Sequence, residues 1–163
     1  MDSTEAIYNG IKNAGINFIV SVPCVNLKKL LDLIEIDDEI IHVPVTREEE
    51  GLGIAAGAYM AGKKTAILMQ NSGIGNSVNA LTSLFELFEF PIVMIISHRG
   101  SDGEPMIGQV PMGKSTTNLL EAININYNSI EDFGTAYNEI SNSWEKSLKI
   151  KRPIAFLFEI NYW

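Results

Sequence analysis

The chain has 163 residues, of which 12 are basic and 20 acidic, and its formal net charge is −8. An acidic chain without a basic cluster argues against nucleic acid or an anionic membrane as the main partner. The length suits a single domain over residues 1–163, and a hydrophobic content of 46% is typical of a globular protein. No signal peptide or membrane-spanning run is visible, so we expect a cytoplasmic protein.

Apolar runs alternate with amphipathic patterns along the chain, and we interpret them as strands and helices. The first half contains a helix over 2–13, a strand over 16–22, a helix over 27–34, a strand over 40–45, a helix over 49–61 and a strand over 65–70. The second half contains a helix over 76–86, a strand over 91–97, a loop over 98–113, a helix over 117–122, a strand over 123–127, a helix over 129–148 and a strand over 154–160.

This alternation predicts the α/β class, a three-layer αβα fold with a mostly parallel, doubly wound sheet of about six strands. Ligands bind such sheets at the carboxyl ends of the strands. Here those ends lie at residues 21–24, 46–48, 70–76 and 97–100. The loop over 98–113 follows the last of them, and a loop of that length is either functional or mobile.

An acidic run, Thr46 to Glu50, lies between a predicted strand and a predicted helix. Carboxylates in the first turn of a helix are favoured by the helix dipole and usually lie in water. Two features favour a function instead. The run lies at the carboxyl end of a strand, and the helix after it carries small residues, including Gly51, Gly53 and Gly57. A helix with such a surface allows a partner subunit or a flat, buried ligand to come close.

Two further segments have both a structural and a functional interpretation. The glycine-rich segment 70–76 is either a tight turn or a phosphate cradle before a helix, although it lacks the lysine of a P-loop. His98 and Arg99 either extend their polar ends into water or form an anion site, because an arginine fork matches carboxylate or sulfonate oxygens. Cys24 is more typical of a small packed side chain than of a nucleophile.

Four stretches together resemble the pyrimidine-binding domain of thiamine-diphosphate enzymes. They are SVPC (21–24), VTREEEGLGIAAGAYMAG (45–62), ILMQNSGIGNSVNALTSL (67–84) and SHRG…GQVPMG (97–113). Within that class the chain is most similar to the alpha subunits of sulfopyruvate decarboxylases, which act in coenzyme M biosynthesis in methanogens. Phosphonopyruvate decarboxylases are also similar. The resemblance implies a lyase that converts 3-sulfopyruvate to sulfoacetaldehyde and CO₂, and Val110 favours this substrate because phosphonopyruvate enzymes have a histidine there.

The same resemblance implies the residues of the site. It makes Glu48 the catalytic glutamate, in contact with ring nitrogen N1′ of the aminopyrimidine of thiamine diphosphate. It implies further contacts to this cofactor from the segment after the first strand and from the glycine-rich segment, namely Val22, Pro23, Asn71, Ser72, Gly73, Gly75 and Asn76. From their charge and position, we predict that His98 and Arg99 hold the anionic substrate.

A partner chain is implied as well. Enzymes of this class hold the diphosphate through Mg²⁺, which is bound in a separate domain by a G-D-G…N motif, and this sequence has only Ser101-Asp102-Gly103. We therefore expect a hetero-oligomer in which a beta subunit binds Mg²⁺ and the diphosphate, and no metal ligand in this chain. The residues alone leave open two alternatives: a phosphonopyruvate or other 2-oxo acid decarboxylase subunit, and a non-catalytic α/β module that binds a nucleotide.

Overall fold

Residues 2–163, which the computed structural model describes, form six β-strands and seven α-helices. The strands are β1 (Phe18–Ser21), β2 (Ile41–Pro44), β3 (Thr65–Gln70), β4 (Val93–His98), β5 (Asn126–Ile130) and β6 (Ile154–Glu159). The helices are α1 (Ser3–Ala14), α2 (Lys28–Glu35), α3 (Glu48–Met60), α4 (Gly73–Ala80), α5 (Val110–Ala122), α6 (Phe133–Ser141) and α7 (Ser143–Ile150). A π-helical segment, Leu81–Glu86, continues α4. Across residues 2–163, no helix is both long and apolar enough to cross a membrane.

The strands form one sheet in the order β2-β1-β3-β4-β6-β5, and every pairing between them is parallel. The predicted doubly wound α/β fold is therefore confirmed. Strands β3, β4 and β6 carry buried side chains on both faces, as expected where helices cover both sides of a parallel sheet. The edge strand β2 is more exposed.

Alternate side chains of the central strands enter two hydrophobic cores on opposite faces of the sheet. Ile19 and Leu68 pack with residues of α1, α2, α6 and α7, whereas Val20 and Ile67 pack with residues of α3, α4 and α5. The two-residue period of a β-strand produces this division. The result is the predicted three-layer arrangement of helices, sheet and helices.

The chain leaves the neighbouring strands β1 and β3 towards opposite faces of the sheet. Helix α2 follows β1 and packs in the first core, while α4 follows β3 and packs in the second. A crevice therefore opens between the carboxyl ends of β1 and β3. This is the position at which open α/β sheets bind ligands.

The predicted end of the loop over 98–113 is wrong, because α5 begins at Val110 and not at residue 117. Pro111 lies in the first turn of α5, where the missing N–H of proline removes no helical hydrogen bond. The base of the loop is closed by Gly100, which has a φ of +84° and lies against the backbone of Gln109 and Gly113. A side chain at Gly100 or Gly113 would overlap this backbone.

Two boundaries near the site and the edge strand also differ from prediction. Helix α4 begins at Gly73 and not at residue 76, so the glycine-rich segment forms the first turn of the helix. Strand β5 begins at Asn126 and not at residue 123, because Asn124 has a φ of +54° and turns the chain after α5.

The single helix predicted over 129–148 is wrong, since α6 and α7 are separate helices on either side of Asn142. The Asn142 side chain donates a hydrogen bond to the Asn138 backbone oxygen at 2.8 Å. Such side-chain bonds to the backbone compete with regular helical bonding. The other predicted elements agree with the structure to within a few residues.

Candidate active site at the carboxyl edge of the sheet

Of the three consecutive glutamates in the first turn of α3, Glu48 is the one buried in the protein. It is 8% exposed, and its carboxylate has no hydrogen bond or ion pair with any residue in the described range 2–163. Glu49 accepts a hydrogen bond from Arg47 at 2.7 Å, and Glu50 accepts one from the Thr46 hydroxyl at 3.0 Å. Because buried polar groups are normally paired, the Glu48 carboxylate is available to a ligand.

Glu49 differs from Glu48 in its electrostatic surroundings. The pKa of Glu49 is below its usual value, mainly because the carboxylate accepts a hydrogen bond from its own backbone N–H. The neighbouring Arg47 lowers this pKa further. Glu49 is therefore an ionised, half-buried member of an ion pair with Arg47, and its other oxygen, Oε2, is buried without a partner among residues 2–163. Proximity along the chain does not give the three carboxylates a common role.

Gly73, the first residue of α4, makes room for the Glu48 side chain. A Cβ atom at Gly73 would overlap Cγ, Cδ and Oε1 of Glu48. The carboxylate therefore lies against the first turn of α4, where backbone N–H groups have no partner within the helix and favour negative charge. A larger residue at this position would have to displace the Glu48 side chain.

The floor of the crevice between β1 and β3 is polar. The Cys24 thiol lies 3.6 Å from Oε1 of Gln70 and 3.6 Å from the Ser97 hydroxyl, which also accepts a hydrogen bond from Asn26 at 3.2 Å. Gln70 in turn donates to the Ser72 hydroxyl at 2.7 Å, immediately before α4. This network connects the end of β1 to the helix against which Glu48 packs.

Asn71, predicted as a cofactor contact, is 0% exposed. Its side-chain nitrogen donates to the Arg99 backbone oxygen at 2.9 Å and to the Thr116 hydroxyl at 2.8 Å. Its side-chain oxygen accepts from the Arg99 backbone N–H at 2.9 Å. These bonds use the whole amide, so we assign Asn71 a positioning role that holds the end of β4 and α5 beside β3.

Arg99 forms a two-bonded ion pair with Glu104 in the loop that follows β4. Nε and Nη2 of Arg99 each donate to one Glu104 oxygen at 2.6 Å, and the Glu104 side chain is 1% exposed. Glu104 also accepts from the backbone N–H groups of Gly100 at 3.1 Å and Met106 at 3.0 Å. Arg99, with smaller effects from the backbone bonds, lowers the pKa of Glu104 to about 2.

Glu104 was not predicted from the sequence. A glutamate in an irregular loop carries no periodic signal, and only the folded loop brings it to Arg99. The guanidinium of Arg99 also lies beside Cys24, which adds to the rise in its pKa that Glu104 mainly causes. Arg99 therefore belongs to the crevice between β1 and β3.

His98 and Arg99 point to different places, although they are adjacent in sequence. His98 is 7% exposed, and its Nε2 lies 3.1 Å from the Gly113 carbonyl oxygen, which can only accept a hydrogen bond. Nε2 therefore carries the proton, while buried Nδ1 has no partner among the described residues. His98 faces a groove that it lines together with Lys114, Glu159 and Glu104, the partner of Arg99.

The remaining predicted cofactor contacts lie around the crevice. Val22 is half-buried and Pro23 is exposed after β1. Ser72, Gly75 and Asn76 are exposed at the start of α4, and a Cβ atom at Gly75 would meet no other atom within 4 Å. These residues are accessible to a ligand next to Glu48, and their contacts to a cofactor stay predictions.

Comparison with known proteins gives the class of protein. Residues 1–125 match the family described as thiamine pyrophosphate enzyme, N-terminal TPP binding domain. The fold is similar to part of a 2-oxoglutarate:ferredoxin oxidoreductase from Magnetococcus marinus, with TM-score 0.79, 19% identity, and coverage of 99% of this chain and 29% of that one. It is also similar to a thiamine diphosphate-dependent 4-hydroxybenzoylformate decarboxylase from Rhodococcus jostii RHA1, with TM-score 0.75, 18% identity, and coverage of 100% and 31%.

Full-length relatives then give the particular family. A sulfopyruvate decarboxylase subunit alpha from Methanothermobacter thermautotrophicus is 53% identical over 163 residues, covering 100% of this chain and 99% of that protein. The chain belongs to the sulfopyruvate decarboxylase alpha-subunit family of thiamine pyrophosphate enzymes.

Two longer relatives match over part of their length. A sulfopyruvate decarboxylase from Methanosarcina acetivorans is 34% identical over 162 residues, covering 98% of this chain and 40% of that protein. A phosphonopyruvate decarboxylase from Streptomyces viridochromogenes is 35% identical over 124 residues, covering 76% of this chain and 31% of that protein. The predicted resemblance to both kinds of decarboxylase is confirmed.

We predict that Gly73→Ala destabilises the protein by about 1–3 kcal/mol, the usual range for overpacking, because the new methyl group must displace Glu48. Gly75→Ala is the matched control in the same helical turn. Its side chain would enter open space, so the better helix propensity of alanine should stabilise the protein by up to about 1 kcal/mol. Urea unfolding of both variants measures the difference, and equal free energies of unfolding would contradict the packing of Glu48 on Gly73.

The ion pair of Glu104 predicts a dependence of stability on acid. The pKa of Glu104 falls from 4.5 to about 2 on folding, so the pair stabilises the protein above pH 4.5 and this stabilisation disappears as the pH falls towards 2. We expect Glu104→Gln to lose less stability than the wild type over this range. Asp102→Asn, at an exposed carboxylate in the same loop, should follow the wild type. Parallel acid-unfolding curves for the wild type and Glu104→Gln would contradict the assignment.

Proposed function

We propose that this chain is the pyrimidine-binding subunit of a decarboxylase that uses thiamine diphosphate to convert 3-sulfopyruvate to sulfoacetaldehyde and CO₂. The reaction is a step of coenzyme M biosynthesis. The observation that carries the proposal is the Glu48 carboxylate, buried without a partner in residues 2–163 and packed against Gly73. The full-length match to a sulfopyruvate decarboxylase subunit alpha supports the choice of substrate.

The surroundings of Glu48 fit the aminopyrimidine end of thiamine diphosphate. The Glu48 residue is 8% exposed and its carboxylate has no protein donor among residues 2–163, so its oxygens can bond a ring nitrogen of the cofactor. Gly73 places no side chain between Glu48 and the start of α4, and the exposed Gly75 and Asn76 lie at the same helix end. We assign Glu48 to share a proton with ring nitrogen N1′.

Bound thiamine diphosphate supplies the carbanion stabilisation that loss of CO₂ from a 2-oxo acid requires. Glu48 acts as the general acid and base at N1′, where a positioned carboxyl can hold or release a proton. Arg99 holds the sulfonate end of the substrate, since it lies beside Cys24 and its Nη1 is not used by Glu104. His98 bonds Gly113 and faces another groove, so of the two predicted ligands the geometry favours Arg99.

A beta-type subunit completes the site in this proposal by binding Mg²⁺ and the diphosphate. The sulfopyruvate decarboxylase of M. acetivorans matches this chain over 40% of its length, which leaves room in that single chain for a second half. A candidate contact surface lies on α3, where Gly53 and Gly57 face open space and Ile54 and Met60 are 40% and 75% exposed. This exposed surface of small and apolar residues suits contact with the beta-type subunit.

We predict that Glu48→Gln lowers kcat of the complex with the beta-type subunit by about 100-fold or more, because a glutamine cannot exchange a proton with N1′. Glu50→Gln is the matched control, since within residues 2–163 this exposed side chain bonds only Thr46. Glu49→Gln should also be mild, because a first-turn carboxylate contributes about 0.3–1 kcal/mol through the helix dipole. Circular dichroism checks that each variant is folded, and an equal loss of turnover in Glu49→Gln would place the catalytic glutamate elsewhere.

The split site predicts that this chain alone binds thiamine diphosphate poorly, even with excess Mg²⁺. Magnesium is normally held by carboxylates together with the phosphates of its ligand, and we assign those ligands to the beta-type subunit. Isothermal titration of the chain, with and without the beta-type subunit, measures the difference. Magnesium-dependent binding of equal strength in both samples, with decarboxylation by the chain alone, would contradict the split site.

A further inference from the structure

The Glu104 carboxylate is held in place by four hydrogen bonds. Both oxygens are bonded by Arg99, and the backbone N–H groups of Gly100 and Met106 add two more hydrogen bonds. The side chain is 1% exposed, and the close backbone contact between Gly100 and Gly113 closes the base of its loop. Glu104 cannot turn away from Arg99 without breaking all of these bonds.

The ion pair with Glu104 determines the net charge of the group that binds a substrate at Arg99. Nε and Nη2 of the guanidinium face Glu104, whereas Nη1 is not used by it and the group lies beside Cys24 in the crevice. An anion that binds Arg99 from the crevice therefore accepts hydrogen bonds from a guanidinium whose other side is bonded to the Glu104 carboxylate. The positive charge of Arg99 is already balanced.

We propose that Glu104 is the specificity-determining residue of the site, and that it admits a singly charged sulfonate while it rejects a doubly charged phosphonate. This inference rests on the proposed function. A sulfonate carries one negative charge at all physiological pH values, whereas a phosphonate, like a phosphate, loses a second proton near neutral pH. Discrimination between similar ligands often depends on such a repulsive group, here the Glu104 carboxylate.

The charge of Glu104 stays constant while that of a phosphonate changes. The pKa of Glu104 is lowered to about 2, so the carboxylate is ionised throughout the neutral range. Lowering the pH towards 6 protonates the phosphonate to a single negative charge and leaves Glu104 and the sulfonate unchanged. Preference for phosphonopyruvate over sulfopyruvate should therefore rise as the pH falls.

The test uses the complex of this chain with its beta-type subunit. We expect Glu104→Gln to raise the ratio of kcat/KM for 3-phosphonopyruvate over 3-sulfopyruvate by about tenfold or more at pH 8, the order expected for removing one like charge nearby. The wild-type ratio should rise by a similar factor from about pH 8 to about pH 6, and Glu104→Gln should flatten this dependence. Asp102→Asn, an exposed carboxylate two residues away, should leave the ratio within about twofold.

An unchanged ratio in Glu104→Gln, with both substrates slowed equally, would overturn the inference and leave Glu104 as a structural residue. A wild-type ratio that is independent of pH would overturn it as well, and that measurement needs no variant. In both cases decarboxylation of sulfopyruvate by the wild type would leave the proposed function standing. A wild-type complex that decarboxylates neither compound would overturn both.

Discussion

The carboxyl edge of the sheet depends on the hydrogen bonds of one buried amide, that of Asn71. A side chain that is 0% exposed must have its polar atoms bonded within the protein, and here the partners are the backbone of Arg99 and the hydroxyl of Thr116. The end of β3 is thereby joined to the end of β4 and to α5. The orientation of Arg99 and the start of its loop follow from this connection.

The carboxylates of Glu104 and Glu48, both at this edge, differ in the number of hydrogen-bond donors around them, and we assign them different roles for that reason. Glu104 is surrounded by donors and remains ionised, so it can only repel or orient other charges. Glu48 is buried against Gly73 without any donor from residues 2–163, so it can bond a ligand that supplies one. A carboxylate available to a ligand and one fixed by its donors therefore lie at the same edge of the sheet, because each meets a different set of neighbours.

Much of the fold was predictable because periodicity is a local property. Strand β3 was predicted with its observed bounds, and the parallel sheet followed from the alternation of apolar runs and amphipathic segments. The failures came where local patterns were ambiguous. The start of α5 at Val110 was missed although Pro111 is typical of a first helical turn, and Asn142 divides a segment whose pattern is continuous.

The sequence by itself determined the α/β class, through the alternation of apolar and amphipathic segments. It also determined the family, and with it Glu48 as the candidate catalytic residue, because these depend on short motifs and their spacing. Only the tertiary structure showed that Glu48 is the buried one of the three glutamates, because burial depends on where α3 meets α4. It alone brought Glu104 to Arg99 and turned His98 towards another groove. Such pairings depend on how an irregular loop folds back on the sheet, and no local pattern in the chain encodes that path.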